Sequence, residues 1–173
     1  MKFLKKLLKI SICLFIFLTA FYFLYLSPRY TVPILMYHRF GYEESSLFVE
    51  PENFACQMAY LKDKNYNVIS LDELVKGIKS NRNFAHNSVV ITIDDGYKDN
   101  YTYGYPVLKK HNFPATIFII ANFMGNKKGY LTWEEIKVMS EQGISFGGHT
   151  KNEVYIPSIK EKQILWDETA GCK

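Results

Sequence analysis

The sequence predicts an α/β domain built on a parallel sheet and preceded by one apolar helix. Strand-like and helix-like segments alternate from residue 32 onward, and the strand-like segments lack regular polar alternation. Strands of this kind are typical of a parallel sheet whose faces are both covered. Five strand–helix units in succession favour a barrel-like or a doubly wound α/β fold.

The first 30 residues have the pattern of a membrane signal. Four lysines precede an uncharged stretch of 17 residues, Ile10–Leu26, which is rich in Leu, Ile and Phe. As a helix this stretch would span roughly 26 Å, close to the ~30 Å hydrocarbon thickness of a bilayer. No small-x-small cleavage pattern follows it, so we expect an uncleaved anchor in the cell membrane with the rest of the chain outside the cytoplasm. A cleaved signal peptide on a secreted protein is the alternative.

These patterns divide the chain into four segments. They are a basic cytoplasmic N-terminus at 1–9, a transmembrane anchor at 10–26, a linker at 27–31 and one domain at 32–173. Without the four leading lysines, 17 basic residues stand against 17 acidic ones. A neutral domain without a basic stripe is not expected to bind nucleic acid.

Five segments of the domain have the length and composition of strands. Each contains β-branched or aromatic residues, and Ser88–Ile93 is a continuous run typical of a buried strand. The predicted strands are Val32–His38, Tyr66–Ser70, Ser88–Ile93, Pro114–Ile120 and Ile144–Gly148.

Helices are predicted between the strands from capping signals and helical periodicity. Pro51 suits the first position of a helix that extends to Asn65 with an apolar face. A helix at Tyr101–His111 is interrupted near Gly104 and Pro106. Capping-box pairs open three more helices, Leu71–Lys79, Trp133–Gln142 and a last one near the C-terminus: Ser70 with Glu73, Thr132 with Glu135, and Ser158 with Glu161.

Chemically reactive side chains follow the ends of three predicted strands. His38 ends the first strand, Asp94 and Asp95 follow the third, and His149 follows the fifth. The carboxyl ends of barrel strands meet at one edge of the sheet, where chemistry collects. Adjacent carboxylates at the end of a buried strand disfavour each other's ionisation, so a metal ion or a proton-transfer role would account for them. A simple Asp-Gly turn is the alternative interpretation.

Five segments resemble the polysaccharide deacetylase (NodB-homology) family, carbohydrate esterase family 4, in order and spacing. They are PILMYHRF, TIDDGY, ATIFI, LTWEEI and GGHT, and they extend from about Val32 to the end of the sequence. TIDDG resembles the first family motif, usually TFDDG, and HT resembles the start of the second, H-[S/T]-x-x-H. The YHR segment is most similar to the branch that acts on poly-N-acetylglucosamine. The resemblance implies a barrel-like deacetylase fold with about five of its strands present.

The resemblance also implies an activity and a role for three residues. The activity is metal-dependent removal of N-acetyl groups from a GlcNAc-containing extracellular or cell-wall polysaccharide. Asp94 matches the general base that activates water, while Asp95 and His149 match ligands of a divalent metal, commonly zinc. Two further residues are candidates from their positions: His38 for the pocket floor and Tyr97 for stacking on a sugar ring. Core packing is the alternative for both.

Two departures from the family pattern affect the expected activity. The second motif expects a histidine four residues after His149, where this chain has Glu153. Glu153 is either an oxygen ligand that replaces the histidine or a solvated loop residue. Family domains also continue for several more strands with a late Leu-x-His, so the resemblance implies a domain that is incomplete at its C-terminus. A non-catalytic glycan-binding remnant, an inactive fragment, or a metal-dependent hydrolase of another amide or ester are the alternative functions.

Overall fold

The computed structural model describes residues 2–26 and 31–172 and confirms an α/β fold with a parallel sheet. Within these residues the helices are α1 (Lys2–Phe21), α2 (Pro51–Asp63), α3 (Leu71–Lys79), α4 (Tyr105–His111), α5 (Trp133–Ser140) and α6 (Lys162–Ala170). The strands are β1 (Ile34–Tyr37), β2 (Arg39–Phe40), β3 (Phe48–Val49), β4 (Asn67–Val68), β5 (Ser88–Ile93), β6 (Ala115–Ile119) and β7 (Ile144–Gly148). The predicted linker at 27–31 lies outside the described residues except for Thr31.

Helix α1 continues into a π-helical turn at Tyr22–Leu26. Together they form an apolar helix, Phe3–Leu26, that is long enough to cross a membrane by its length and composition. No residue of its apolar window is buried against other parts of the described structure. Signal peptides and membrane anchors both have these properties, so the structure shows an apolar N-terminal helix that fits either.

The main sheet has the order β1-β5-β6-β7, and the short β4 pairs with the first two residues of β5. All pairings are parallel, with Ile34 opposite Val90, Thr92 opposite Thr116 and Ala115 opposite Ile144. All six residues of β5 are buried. The continuous apolar pattern therefore corresponds to a central strand that is covered on both faces.

The predicted and observed elements differ where local patterns are weak. Strands β2 and β3 form a separate parallel pair of two residues each, too short for any periodicity to reveal. The predicted capping box of Ser158 with Glu161 is wrong. Ser158 belongs to a 3-10 turn and its hydroxyl donates to the Tyr155 carbonyl, so it does not cap α6, whose N-cap is Glu161.

The predicted helix at Tyr101–His111 divides into two parts. A π-helical turn, Asn100–Gly104, precedes α4, and Pro106 lies in the first turn of α4 where a missing N–H is tolerated. A Cβ on Gly104 would lie 2.6 Å from a ring carbon of Phe40. Glycine is required here because the turn packs directly on a buried aromatic ring.

The core lies between the sheet and helices α2, α4 and α5. Helix α4 contributes Leu108, which is fully buried and packs in one cluster with residues of β5, β6 and the neighbouring helices. The members of that cluster with no exposed surface include Phe54, Met58, Ile91, Ile93, Leu108, Ile120, Met124, Leu131 and Met139.

We expect Leu108→Ala to lower the free energy of unfolding by about 2–5 kcal/mol, because it leaves a cavity in close-packed surroundings. Denaturant titration of the full chain in detergent measures this change. Leu165→Ala on α6 is the matched control, since Leu165 is 36% exposed. Equal losses of unfolding free energy in the two variants would contradict the position of Leu108 in the core.

Candidate active site

The Asp94–Asp95 pair lies where β5 ends and the chain turns. The Asp94 N–H donates to the Tyr37 carbonyl at 2.9 Å, which extends the β1–β5 pairing by one residue. Asp95 and Gly96 then adopt φ angles of 75° and 73°. Left-handed backbone at a non-glycine residue costs about 1–2 kcal/mol and is found most often at functional sites. The turn leaves both carboxylates only partly buried at the carboxyl edge of the sheet, with 14% and 13% of their side-chain surface exposed.

His149 is brought to this pair by β7, although β6 lies between β7 and β5. The His149 N–H donates to the Ile119 carbonyl at 2.8 Å. Its Nε2 lies 3.8 Å from Asp94 Oδ2 and 3.9 Å from Asp95 Oδ1. The ends of β5 and β7 thus bring Asp95 and His149 side by side, although these residues are 54 positions apart in sequence.

His38 lies on the other side of Asp94. Its Nε2 is 4.0 Å from Asp94 Oδ2, and its carbonyl accepts a hydrogen bond from Asn100 Nδ2 at 2.9 Å. Burial raises the pKa of Asp94 and the neighbouring Asp95 adds to this, while His149 and His38 lower it. A carboxylate with a raised pKa accepts a proton more readily than a solvated one, which suits a general base.

Asp95 and His149 present an oxygen and a nitrogen donor to the same space. In tetrahedral zinc sites these donors lie ~2.0–2.2 Å from the ion and therefore about 3.4 Å from each other. The observed 3.9 Å between Asp95 Oδ1 and His149 Nε2 is close to that separation. Across residues 2–26 and 31–172, however, no three His, Cys, Asp or Glu side chains form a group that could hold a metal ion. The residues present therefore fit a divalent cation in part, with two donors in place.

Glu153 is not grouped with these two donors. Its Oε2 lies 4.0 Å from Lys127 Nζ, and its N–H donates to Thr150 Oγ1 at 3.1 Å. The Lys127 ammonium also lies over the rings of Phe123 and Tyr130, at 3.7 and 4.9 Å from their centroids. The predicted ligand role of Glu153 stays a prediction, and its carboxylate faces a lysine in the structure.

Tyr97 follows the Asp94–Asp95 turn and its ring already has two packing partners. It stacks on Tyr130 with a centroid separation of 4.8 Å, and the Arg39 guanidinium lies 4.3 Å from its centroid. Burial and a hydrogen bond with Tyr97 raise the pKa of the Tyr130 hydroxyl above its usual value. The Tyr130 hydroxyl is therefore a neutral polar group, and sugar stacking by Tyr97 stays a prediction.

Sequence reasoning missed a buried carboxylate that organises the His38 side of the site. Asp99 accepts hydrogen bonds from Arg39 Nε at 3.0 Å, from Phe40 N–H at 3.1 Å and from Asn100 Nδ2 at 3.1 Å. Burial raises the pKa of Asp99, and the Phe40 N–H and Arg39 oppose that rise. No local sequence pattern marks Asp99, because Arg39 and Phe40 lie 60 and 59 residues away in sequence.

Comparisons with known proteins identify the family of this chain. The family model for polysaccharide deacetylase matches residues 81–169. YxkH of Bacillus subtilis, whose name places it among polysaccharide deacetylases, is 37% identical over 132 residues, or 76% of this chain and 47% of its own length. The poly-β-1,6-N-acetyl-D-glucosamine N-deacetylase of Staphylococcus epidermidis is 33% identical over 107 residues, or 59% of this chain and 37% of its own. This chain thus spans about half or less of the curated relatives it matches.

The fold itself is shared with a solved deacetylase. The structure of deacetylase PplD from Streptococcus pyogenes, solved with acetate, superposes with a TM-score of 0.78 at 29% identity. The superposition covers 84% of this chain and 67% of PplD. The predicted deacetylase-type fold is therefore confirmed.

We expect Asp99→Ala to lower the free energy of unfolding by about 2–3 kcal/mol, because it leaves the Arg39 charge and the Phe40 N–H without their acceptor. This is below the ~3–5 kcal/mol of a fully buried pair, since Arg39 is 28% exposed. Denaturant titration measures the change. Glu73→Ala, which breaks the exposed pair with Arg82, is the control and should cost no more than about 1 kcal/mol. A loss of that small size in Asp99→Ala would contradict the organising role of Asp99.

Proposed function

The chain belongs to the polysaccharide deacetylase family, and from that membership we propose that it removes N-acetyl groups from a GlcNAc-containing extracellular or cell-wall polysaccharide. The observation that carries this proposal is the convergence of Asp94, Asp95 and His149 at one edge of the sheet. The name of the Staphylococcus epidermidis relative supports the substrate class, and the acetate in PplD is the product that such a reaction releases.

Asp94 is the group that we propose to accept the proton. A water molecule attacks the acetamide carbon and one of its protons passes to Asp94 Oδ2. Asp94 then returns that proton to the amide nitrogen as the C–N bond breaks, which gives a free amine and acetic acid, and the acid ionises to acetate. His149 and His38 lie 3.8 and 4.0 Å from Asp94 Oδ2. The position of Asp94 between the two histidines supports this proposal independently of its pKa.

Asp95 and His149 are the residues that we propose to hold a divalent cation, with zinc the best match to an oxygen–nitrogen donor pair. When bound, zinc would polarise the acetamide carbonyl and lower the pKa of a water molecule towards ~7. Glu153 is proposed as a third donor on the loop that follows His149. For this role its carboxylate must turn away from Lys127.

A second candidate function is glycan binding without catalysis. The observation in its favour is that the described residues contain no group of three metal-binding side chains. Exposed aromatic residues near the site, such as Trp133, which is 53% exposed, suit contact with sugar rings.

We also propose that the apolar N-terminal helix holds the domain at the outer face of the cell membrane. The lysines that precede its apolar stretch suit the cytoplasmic side, and Tyr22 and Tyr25 near its other end suit the outer interface. A polysaccharide outside the cell is accessible to a domain placed in this way. A secreted protein with a cleaved helix is the alternative.

We expect the full chain in detergent to release acetate from poly-N-acetylglucosamine or chitooligosaccharide, and Asp94→Asn to lower the rate by ~10²–10⁴-fold while zinc content is unchanged. Acetate assay and elemental analysis measure the two quantities. Asp72→Asn on the exposed face of α3 is the matched control and should behave as the parent. Unchanged acetate release in Asp94→Asn would refute its role as the base. Zinc binding and glycan binding without any acetate release would favour the second candidate.

We expect Glu153→His to raise zinc affinity at least ~10-fold, because an imidazole four residues after His149 adds a nitrogen donor and removes the pairing with Lys127. Competition titration with a zinc chelator measures the affinity. Tyr155→His is the control for a histidine gained nearby, since Tyr155 is 74% exposed. Equal affinities in the parent and Glu153→His would remove position 153 from the ligand set.

A further inference from the structure

Glu168 on α6 is a buried carboxylate whose role neither the motifs nor the proposed chemistry explains. Only 5% of its surface is exposed. Among the described residues no Lys, Arg or His forms a salt bridge with it, in contrast to Asp99 with Arg39. A buried carboxylate that forms no salt bridge depends on hydrogen bonds for its stability.

The hydrogen bonds to Glu168 all come from the loop that follows His149. Its Oε2 accepts from the backbone N–H groups of Lys151 at 3.1 Å and Asn152 at 2.9 Å. The Lys151 N–H is shared with the Glu168 backbone carbonyl, at 3.2 Å. Its Oε1 accepts from Asn152 Nδ2 at 2.6 Å. Bonds to a charged acceptor are about twice as strong as neutral ones, so one side chain fixes two consecutive peptide units.

The same loop is held on its opposite side by the 3-10 turn that follows β6. The Ala121 N–H donates to the Thr150 carbonyl at 3.2 Å, and the Asn122 N–H donates to the Lys151 carbonyl at 3.1 Å. The Asn122 side chain completes the connection, because its Nδ2 donates to Asn152 Oδ1 at 2.6 Å. The loop therefore lies between the 3-10 turn after β6 and helix α6, and both elements form hydrogen bonds with it.

The loop needs such support because its backbone is strained. Thr150 and Glu153 have φ angles of 67° and 58°. Each non-glycine residue in the left-handed region costs about 1–2 kcal/mol, and such conformations persist only where surrounding contacts fix them. Thr150 follows His149 directly, so a change in this backbone rotates the imidazole away from Asp95.

We propose that Glu168 is a positioning residue: its buried carboxylate fixes the loop Thr150–Glu153 and thereby holds the His149 imidazole beside Asp95. The consequence for zinc rests on the proposed function. The consequence for the loop does not, because it follows from the hydrogen bonds of Glu168 alone.

The test exploits the pattern of donors and acceptors around Asn152. Glu168→Gln keeps the shape of the side chain but places an NH₂ group against Asn152 Nδ2, so two donors face each other. Turning the Asn152 amide transfers that conflict to Asn122 Nδ2, so the Asn122 amide must turn as well. Even then the neutral glutamine carbonyl accepts the two backbone N–H groups more weakly than the carboxylate does. Adding Asn152→Asp resolves the conflict, because the new carboxylate accepts from both the introduced glutamine amide and Asn122 Nδ2. The carbonyl of that glutamine then accepts the two backbone N–H groups.

We expect Glu168→Gln in the full chain to lower zinc affinity ~10–100-fold, as loss of outer-shell partners typically does, and to speed amide hydrogen exchange at residues 150–153. Exchange in β5 should not change. The double variant Glu168→Gln with Asn152→Asp should recover most of both losses. Asp167→Asn is the control: this carboxylate is on the same helix but bonds only the exposed Lys151 Nζ, at 2.8 Å, so zinc affinity should remain within about twofold.

Three outcomes overturn the inference: unchanged loop exchange in Glu168→Gln, unchanged zinc affinity when the parent binds zinc, or no recovery in the double variant. If Glu168→Gln does not fold, Asn152→Ala removes one of the three hydrogen bonds to the Glu168 side chain together with the bond from Asn122 Nδ2. It should give smaller losses in both measurements, and no loss would overturn the inference. Failure of the parent chain to bind zinc overturns the proposed function instead. Loop exchange in the single and double variants then decides the role of Glu168.

Discussion

The burial of β5 on both faces is the constraint on which the rest of the structure depends. All six of its residues are buried, and β1, β4 and β6 all pair with it. The favourable free energy of burying these apolar side chains fixes the strand in the centre of the domain. The position of its last residue then fixes where Asp94 and Asp95 emerge, and the neighbouring strands place His38 and His149 at the same edge.

The two histidines beside Asp94 have similar hydrogen-bond support. Two residues after each histidine, a backbone N–H donates to a buried carboxylate: Phe40 to Asp99 on the His38 side, and Lys151 to Glu168 on the His149 side. Within the described residues these are the two buried acidic side chains. A buried carboxylate orients backbone N–H groups strongly because its own charge must be satisfied. The carboxylates of Asp99 and Glu168 therefore support the two imidazoles through the backbone.

Local pattern predicted much of the fold and little of this supporting structure. The bounds of β5, β7 and α3 follow from continuous apolar runs and a capping signal, and the structure has them as predicted. The positions of four residues at the ends of predicted strands also indicated that they would lie together: His38, Asp94, Asp95 and His149. Asp99 and Glu168 could not be predicted, because their backbone donors lie 59 and 17 residues away in sequence. A carboxylate that bonds distant backbone has the same local sequence as one in solvent.

The charge of Glu153 distinguishes this chain from the H-[S/T]-x-x-H pattern, which has a histidine at that position. Asp94 and Asp95 place two carboxylates at the turn, and a divalent cation between Asp95 and His149 would balance that charge. Lys127 lies at the rim, held over the rings of Phe123 and Tyr130 and 4.0 Å from Glu153. A carboxylate at position 153 can therefore be neutralised either by the lysine or by a metal ion, whereas a neutral histidine would gain nothing from the lysine. With Glu153 as the third donor that we propose, glutamate in place of histidine would couple metal binding to the conformation of Lys127. The H-[S/T]-x-x-H pattern contains no such coupling.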